Sequence, residues 1–241
     1  MVQDAAIGRS ATAFDPDETL CVVVEMSRSS WLVAGLVPGI ERRPLKKMGP
    51  DEVALFSLVD RWRAEATGSG RAIRRIVLAY EAGRDGFWLA RCARAHGIEA
   101  HVIHASSIAV SRDRRRVKTD RLDTELLMRV LLGWLRGEPG HCSMAVVPGL
   151  DEEDAKRPTR ARENLVGERT RVINRMKAAF ARLGIRGCNP ALRKAVDRLA
   201  ELRTPEGAAL PARSMAELRR DMARLRFIED QIAQIEQERE A

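Results

Sequence analysis

Apolar and polar positions change their period several times along the chain, and those changes divide it into elements. Residues 1–19 are polar and mixed, which predicts a loose leader. Leu20-Cys-Val-Val-Val-Glu25 is a continuous apolar, β-branched run, as expected of a strand buried on both faces. Residues 31–37 read as a second strand, Pro38-Gly39 as its turn, and 40–47 as a third, more exposed strand. Helical spacing then takes over in 51–66, through Val53, Leu55, Phe56, Leu58, Val59 and Trp62, and Thr67-Gly-Ser-Gly70 ends it. Residues 73–80 return to strand and deliver Glu81 at their carboxyl end; 83–96 are helical, 99–104 form a fifth strand, and 120–135 an amphipathic helix. The order βββαβαβα predicts an α/β sheet of mixed strand direction rather than a doubly wound parallel one.

Beyond this the pattern becomes wholly helical. Residues 137–158 hold three prolines, three glycines and the acidic run Asp151-Glu-Glu-Asp154, and are read as a linker. Residues 159–183 read as one helix about 38 Å long, with Leu165, Val172, Ile173, Met176, Phe180 and Leu183 on one face. A short helix near 191–202 and a Pro/Gly loop follow. The last helix, from Ser214, spaces Met215, Leu218, Met222, Leu225, Ile228, Ile232 and Ile235 for a coiled-coil or helix-pair seam. The sequence stops inside that helix without a glycine cap, which predicts a longer parent protein. The expected organisation is thus a leader (1–19), an α/β domain (20–136), a linker (137–158) and a helical region (159–241).

Charge sharpens this division. The net charge is +8, yet residues 1–155 balance at 22 basic and 22 acidic side chains, while 156–241 carry 20 against 12. A neutral half joined to a basic half suggests a chemistry domain joined to a polyanion grip; a merely solvated helix surface is the plain alternative. Ten aromatic residues are too few for recognition by base stacking. The apolar runs are too short for a membrane span, and no secretory signal is visible. Cys21, Cys92, Cys142 and Cys188 lie far apart, so neither a zinc site nor a disulfide framework is expected, and reduced thiols in the cytoplasm are the default.

The chemistry-bearing pattern is acidic. Glu25 ends the first strand, Glu81 ends the fourth, and Asp120 and Asp123 open the helix that follows a basic segment. Carboxylates at the ends of neighbouring strands can converge above a sheet, and Asp120 and Asp123, three apart, share a helix face. Such a group needs a counter-charge, and hard oxygen ligands suit Mg²⁺ or Mn²⁺, a pair of which can clamp the attacking and leaving oxygens of a phosphodiester. Each part also has a plainer reading: Asp120-x-x-Asp123 as a helix cap, Glu25 and Glu81 as strand-end surface acids.

Tyr80-Glu-Ala-Gly-Arg-Asp-Gly-Phe-Trp88, the strand 99–104, Arg116-Val-Lys-Thr-Asp-Arg-Leu-Asp-Thr124 and Arg169-Thr-Arg-Val-Ile-Asn-Arg175 together resemble the DEDD transposases, the bridge-RNA-guided recombinases of insertion sequences. The resemblance covers roughly residues 20–186. It implies a ribonuclease-H-like (RuvC-like) mixed sheet with flanking helices, followed by an all-α extension with a coiled-coil-like terminal helix. It further implies metal ligation by Glu25, Glu81, Asp120 and Asp123, and DNA strand cleavage and exchange. The implied cofactor is Mg²⁺, and the implied partners are double-stranded DNA, a structured guide RNA and further copies of the chain in a dimer or tetramer. Two departures stand out. The family's first acid is usually Asp, and the extra methylene of Glu25 moves the carboxylate by about 1.5 Å. The family's nucleophilic serine sits in a C-terminal domain, and no serine of these 241 residues takes that part. A stand-alone junction-resolvase-like endonuclease and a catalytically impaired nucleic-acid-binding remnant are the alternative readings.

Two basic groups are expected to hold phosphates. Arg112, Arg114, Arg115, Arg116, Lys118 and Arg121 adjoin the proposed metals, and Arg169, Arg171, Arg175, Lys177 and Arg182 lie along the long helix. Neither group reads bases, which suits delegation of sequence choice to a guide.

Overall fold

Strand β1, Thr19–Met26, is the centre of the first half, and its first six residues are buried. Its neighbours explain why. In this computed structural model, which describes residues 12–83, 86–108, 120–192 and 195–240, β1 pairs antiparallel with β2 (Trp31–Leu36) and parallel with β4 (Arg75–Glu81). β2 pairs antiparallel with β3 (Leu45–Met48), β4 parallel with β5 (Glu99–Ile103), and β5 antiparallel with β6 (Met144–Ala145). The mixed six-stranded sheet has the order β3-β2-β1-β4-β5-β6 and, with its flanking helices, is consistent with a ribonuclease-H-like fold.

Side-chain alternation sends the two faces of this sheet into two cores. Leu20, Val22, Val24, Leu78 and Tyr80 face one core, which also takes apolar residues of α1 (Glu52–Gly68) and α2 (Trp88–Ala95). Cys21, Val23, Val77, Ala79 and Ile103 face the other, which is filled by Leu127, Leu131 and Trp134 of α3 (Asp120–Leu135). Burying each of the larger aliphatic side chains contributes roughly 1.5–3 kcal/mol, which is why β1 reads as an unbroken apolar run. Helix α1 starts where the Asp51 carboxylate accepts a hydrogen bond from the Ala54 amide at 3.0 Å.

Helix α3 packs on β1, β2 and β4. Trp134 lies against the His101 ring at 4.7 Å, and Arg136 acts electrostatically on Cys21, near the amino end of β1. The helix therefore runs opposite to the parallel strands, and its first turns lie toward their carboxyl ends.

The chain divides into two compact units, Met1–Gly149 and Leu150–Ala241. The dividing point falls within 137–158, but that stretch is less open than a linker: it contributes β6 to the sheet and includes α4 (Leu150–Asp154). The third strand is also shorter than expected, since only Leu45–Met48 of 40–47 and its flank pairs with β2.

The second unit is built on α5 (Arg157–Arg182) and α7 (Ala212–Glu240), with the short α6 (Ala195–Arg198) between them. Arg162 pairs with Glu236 and Arg175 with Asp221, so residue numbers rise on one helix as they fall on the other: the two helices are antiparallel. Val172, Met176 and Phe180 of α5 share a core with Leu218, Met222, Leu225, Ile228 and Ile232 of α7. The seam expected of the last helix is thus filled from within the chain. Among the described residues no helix is long and apolar enough to cross a membrane.

Candidate functional site

The two strand-end carboxylates lie on neighbouring strands. β1 and β4 are parallel and paired as far as Val24 beside Tyr80, and Glu25 and Glu81 are the next residues of the two strands. Both continue the face that carries Cys21, Val23, Val77 and Ala79, which is the face covered by α3. The row extends across the sheet: Glu25 pairs with Leu32 and Leu32 with Lys47, while Glu81 pairs with Ile103. Glu25 is half-buried and Glu81 exposed.

The third carboxylate comes from α3. Asp123 is half-buried, with Oδ2 shielded from solvent, one residue before the buried Thr124 that begins the packed stripe of the helix. Asp120 is the first residue of α3; its side chain lies outside the described residues, as does that of Arg121. Arg112, Arg114, Arg115, Arg116 and Lys118 lie outside them entirely.

Like charges side by side on neighbouring strands are unfavourable unless a cation is shared. An all-oxygen donor set of Glu25, Glu81 and Asp123 suits a hard divalent ion. Among the described residues, however, no three His, Cys, Asp or Glu side chains group closely enough to hold a metal. Glu25 and Glu81 share one face and one end of the sheet.

On the long helix the five expected phosphate contacts separate. Arg171, Arg175 and Arg182, at spacings of four and seven, share one exposed side with Arg157 and Arg160. Lys177 is exposed on a different side, and Arg169 is half-buried beside the packed stripe. Arg175 is already engaged: Nε donates to Asp221 Oδ2 at 2.8 Å and Nη2 to Oδ1 at 2.5 Å.

A further charged group in the first unit was not legible in the sequence. Arg75 donates from Nε and Nη2 to both oxygens of Glu99 at 2.7 Å, and His101 Nε2 lies 2.8 Å from Glu99 Oε1. Partial burial would raise the Glu99 carboxyl, but the hydrogen bonds with His101 and Arg75 outweigh it and hold the group at about 2. The trio sits on the α3 face, toward the amino ends of the parallel strands and away from Glu25 and Glu81. It braces the sheet. Only its i, i+2 members on β5 share an element; Arg75 arrives through strand pairing, which no local pattern encodes.

The chain is 41% identical over 223 residues to a Sinorhizobium fredii protein named "Putative transposase y4rJ", a match that takes in 91% of this chain and 56% of the relative. The chain thus spans little more than half the length of that protein. No protein-family model matches the sequence. A crystal structure of Marinitoga piezophila Argonaute with 5′-OH guide RNA and target DNA matches over 37% of this chain and 16% of that one, at 8% identity and a TM-score of 0.25. That likeness is too slight to assign a fold or an activity.

Proposed function

We propose that this chain is the catalytic and nucleic-acid-gripping part of a DEDD-type transposase that cleaves and exchanges DNA strands under the guidance of a structured RNA. The observation that carries this reading is that Glu25 and Glu81 follow the last paired residues of two parallel neighbouring strands, on the sheet face that α3 covers. The 41% identity to a protein named as a transposase supports it.

Glu25, Glu81, Asp120 and Asp123 would hold Mg²⁺ or Mn²⁺. The ion supplies charge neutralisation at a phosphodiester when bound. The chain's own contribution is to fix Glu25 and Glu81 on strand ends and Asp120 and Asp123 on the first turns of α3. The exposed stripe of Arg157, Arg160, Arg171 and Arg182 on α5 would hold a nucleic-acid backbone through phosphates, without reading bases.

The test is an assay of recombinant DNA junctions in cells expressing the protein from its own gene with its flanking DNA. Glu81→Gln is isosteric and lies at an exposed position, so folding should be unchanged. Junctions should fall by roughly 100-fold or more, the scale of losing one group of a metal site. Undiminished junction formation by Glu81→Gln would overturn the reading.

A further inference from the structure

The row that contains Glu25 and Glu81 does not end on acids. Two strands away from Glu25, on the edge strand β3, it reaches Lys47 through Leu32. Paired residues in neighbouring strands project to the same face, so Lys47 belongs to the α3 face together with both carboxylates. The neighbouring Lys46 pairs with Val33, which lies in the opposite core, so the same strand sends its other lysine to the α1 and α2 face. Both lysines are exposed.

The turn between β1 and β2 adds a second cation at this end. Ser27 Oγ donates to the Ser30 carbonyl at 2.6 Å and accepts from the Ser30 amide at 3.1 Å. The Ser27 amide also donates to the Ser30 carbonyl at 3.0 Å, so backbone and side-chain hydrogen bonds together close the turn. It holds Arg28 exposed three residues beyond Glu25.

We infer that Lys47, assisted by Arg28, is a positioning residue that holds a backbone phosphate of the nucleic-acid strand whose neighbouring phosphodiester lies over Glu25 and Glu81. This rests on the proposed role of those carboxylates. The spacing fits: two strand intervals put the Lys47 backbone about 10 Å from that of Glu25, and the flexible four-carbon stem of the lysine lets its ammonium reach a phosphate next to one lying over the carboxylates. A cation on that row also offsets the repulsion that two adjacent carboxylates exert on an incoming polyanion.

Lys46 and Lys47 make the test, because they share a strand, a charge and an exposure class and differ in face. Binding of the 241-residue chain to a short fluorescein-labelled DNA duplex is followed by anisotropy over a range of salt concentrations. Lys47→Ala should lower the steepness of log affinity against log salt by about 0.9, the effect of losing one phosphate contact. Lys46→Ala should leave it unchanged, and Lys47→Arg should restore it. Equal slopes for the two alanine variants, a Lys47→Ala slope equal to that of the unaltered chain, or no measurable binding by the unaltered chain would each overturn the inference. Failure of the carboxylate reading shows elsewhere, as Glu81→Gln retaining strand exchange, and leaves the slope comparison intact.

Discussion

Arg175 on α5 and Asp221 on α7 meet through two parallel hydrogen bonds, joining helices whose contacting positions are 46 residues apart in sequence. Asp221 is only 13% exposed while Arg175 is 45% exposed, so the carboxylate is the partner that depends on the pair. Arg175→Ala should cost the helical unit on the order of 1 kcal/mol, as expected of a partly exposed bidentate pair. A double-mutant cycle with Asp221→Ala, read by denaturant unfolding, measures it. Affinity for RNA or DNA should fall more with Arg171→Ala and Arg182→Ala, whose side chains lie on the same exposed side. Equal affinity losses at all three arginines would reverse that assignment.

Gly133 sits inside α3, where alanine ordinarily gains about 1 kcal/mol over glycine. Here a Cβ would lie 2.3 Å from the His141 ring, which caps the helix flank and pairs with Glu138 at 2.8 Å. Gly133→Ala should therefore destabilise the first unit, by roughly 1–3 kcal/mol for the forced shift. Adding His141→Ala should recover much of the loss. Thermal melts of the single and double variants read both effects.

Glu99 gives the first unit an acid limit. Its folded carboxyl is held at about 2 against an ordinary value of 4.5. A group with a depressed folded value stabilises fully above its unfolded value and loses that contribution as pH falls toward the folded one. Stability from this group should thus decline between pH 4.5 and 2. In Glu99→Gln the melting temperature should be lower at pH 6 and flatter over that window, as a pH series of calorimetric melts would record.

Cysteine reactivity should follow burial. Desolvation pushes the Cys21 thiol up to about 12 and Cys142 to about 11, so neither forms appreciable thiolate at pH 8. Alkylation at pH 8, mapped by mass spectrometry, should label half-buried Cys92 and Cys188 well before the two buried thiols. Denaturant should erase the difference. Early labelling of Cys21 in the folded chain would contradict the packing of β1 against α3.

Much of the fold was readable because its signals are local. The apolar run of β1 announces burial on both faces, and the seven-residue stripe of α7 announces a partner helix. Only the identity of that partner, α5, needed three dimensions. What stayed hidden depends on pairing across the chain. β6 is two residues long and carries no period of its own. Arg75 and Glu99, or Arg175 and Asp221, are ordinary surface charges until a strand or a helix aligns them. Glu25 and Glu81 were legible as strand ends, but that their strands are parallel neighbours is known only from the pairing of β1 with β4. Arg171 and Arg175 were equivalent as sequence, and only the second meets an acid from another helix.

The sheet ends on one side at four-residue β3, with Lys46 and Lys47 at its middle, and on the other at two-residue β6. An edge strand offers unpaired amides and carbonyls as a template for a strand from another molecule, and length, flatness and apolar side chains make that template effective. Both edges are short, and β3 carries two exposed lysines. Bringing two copies together would crowd lysines at one margin and offer almost no ladder at the other. The α/β unit is thereby guarded against aggregation through its margins, and stacking of sheets edge to edge is a poor route to any assembly the protein forms.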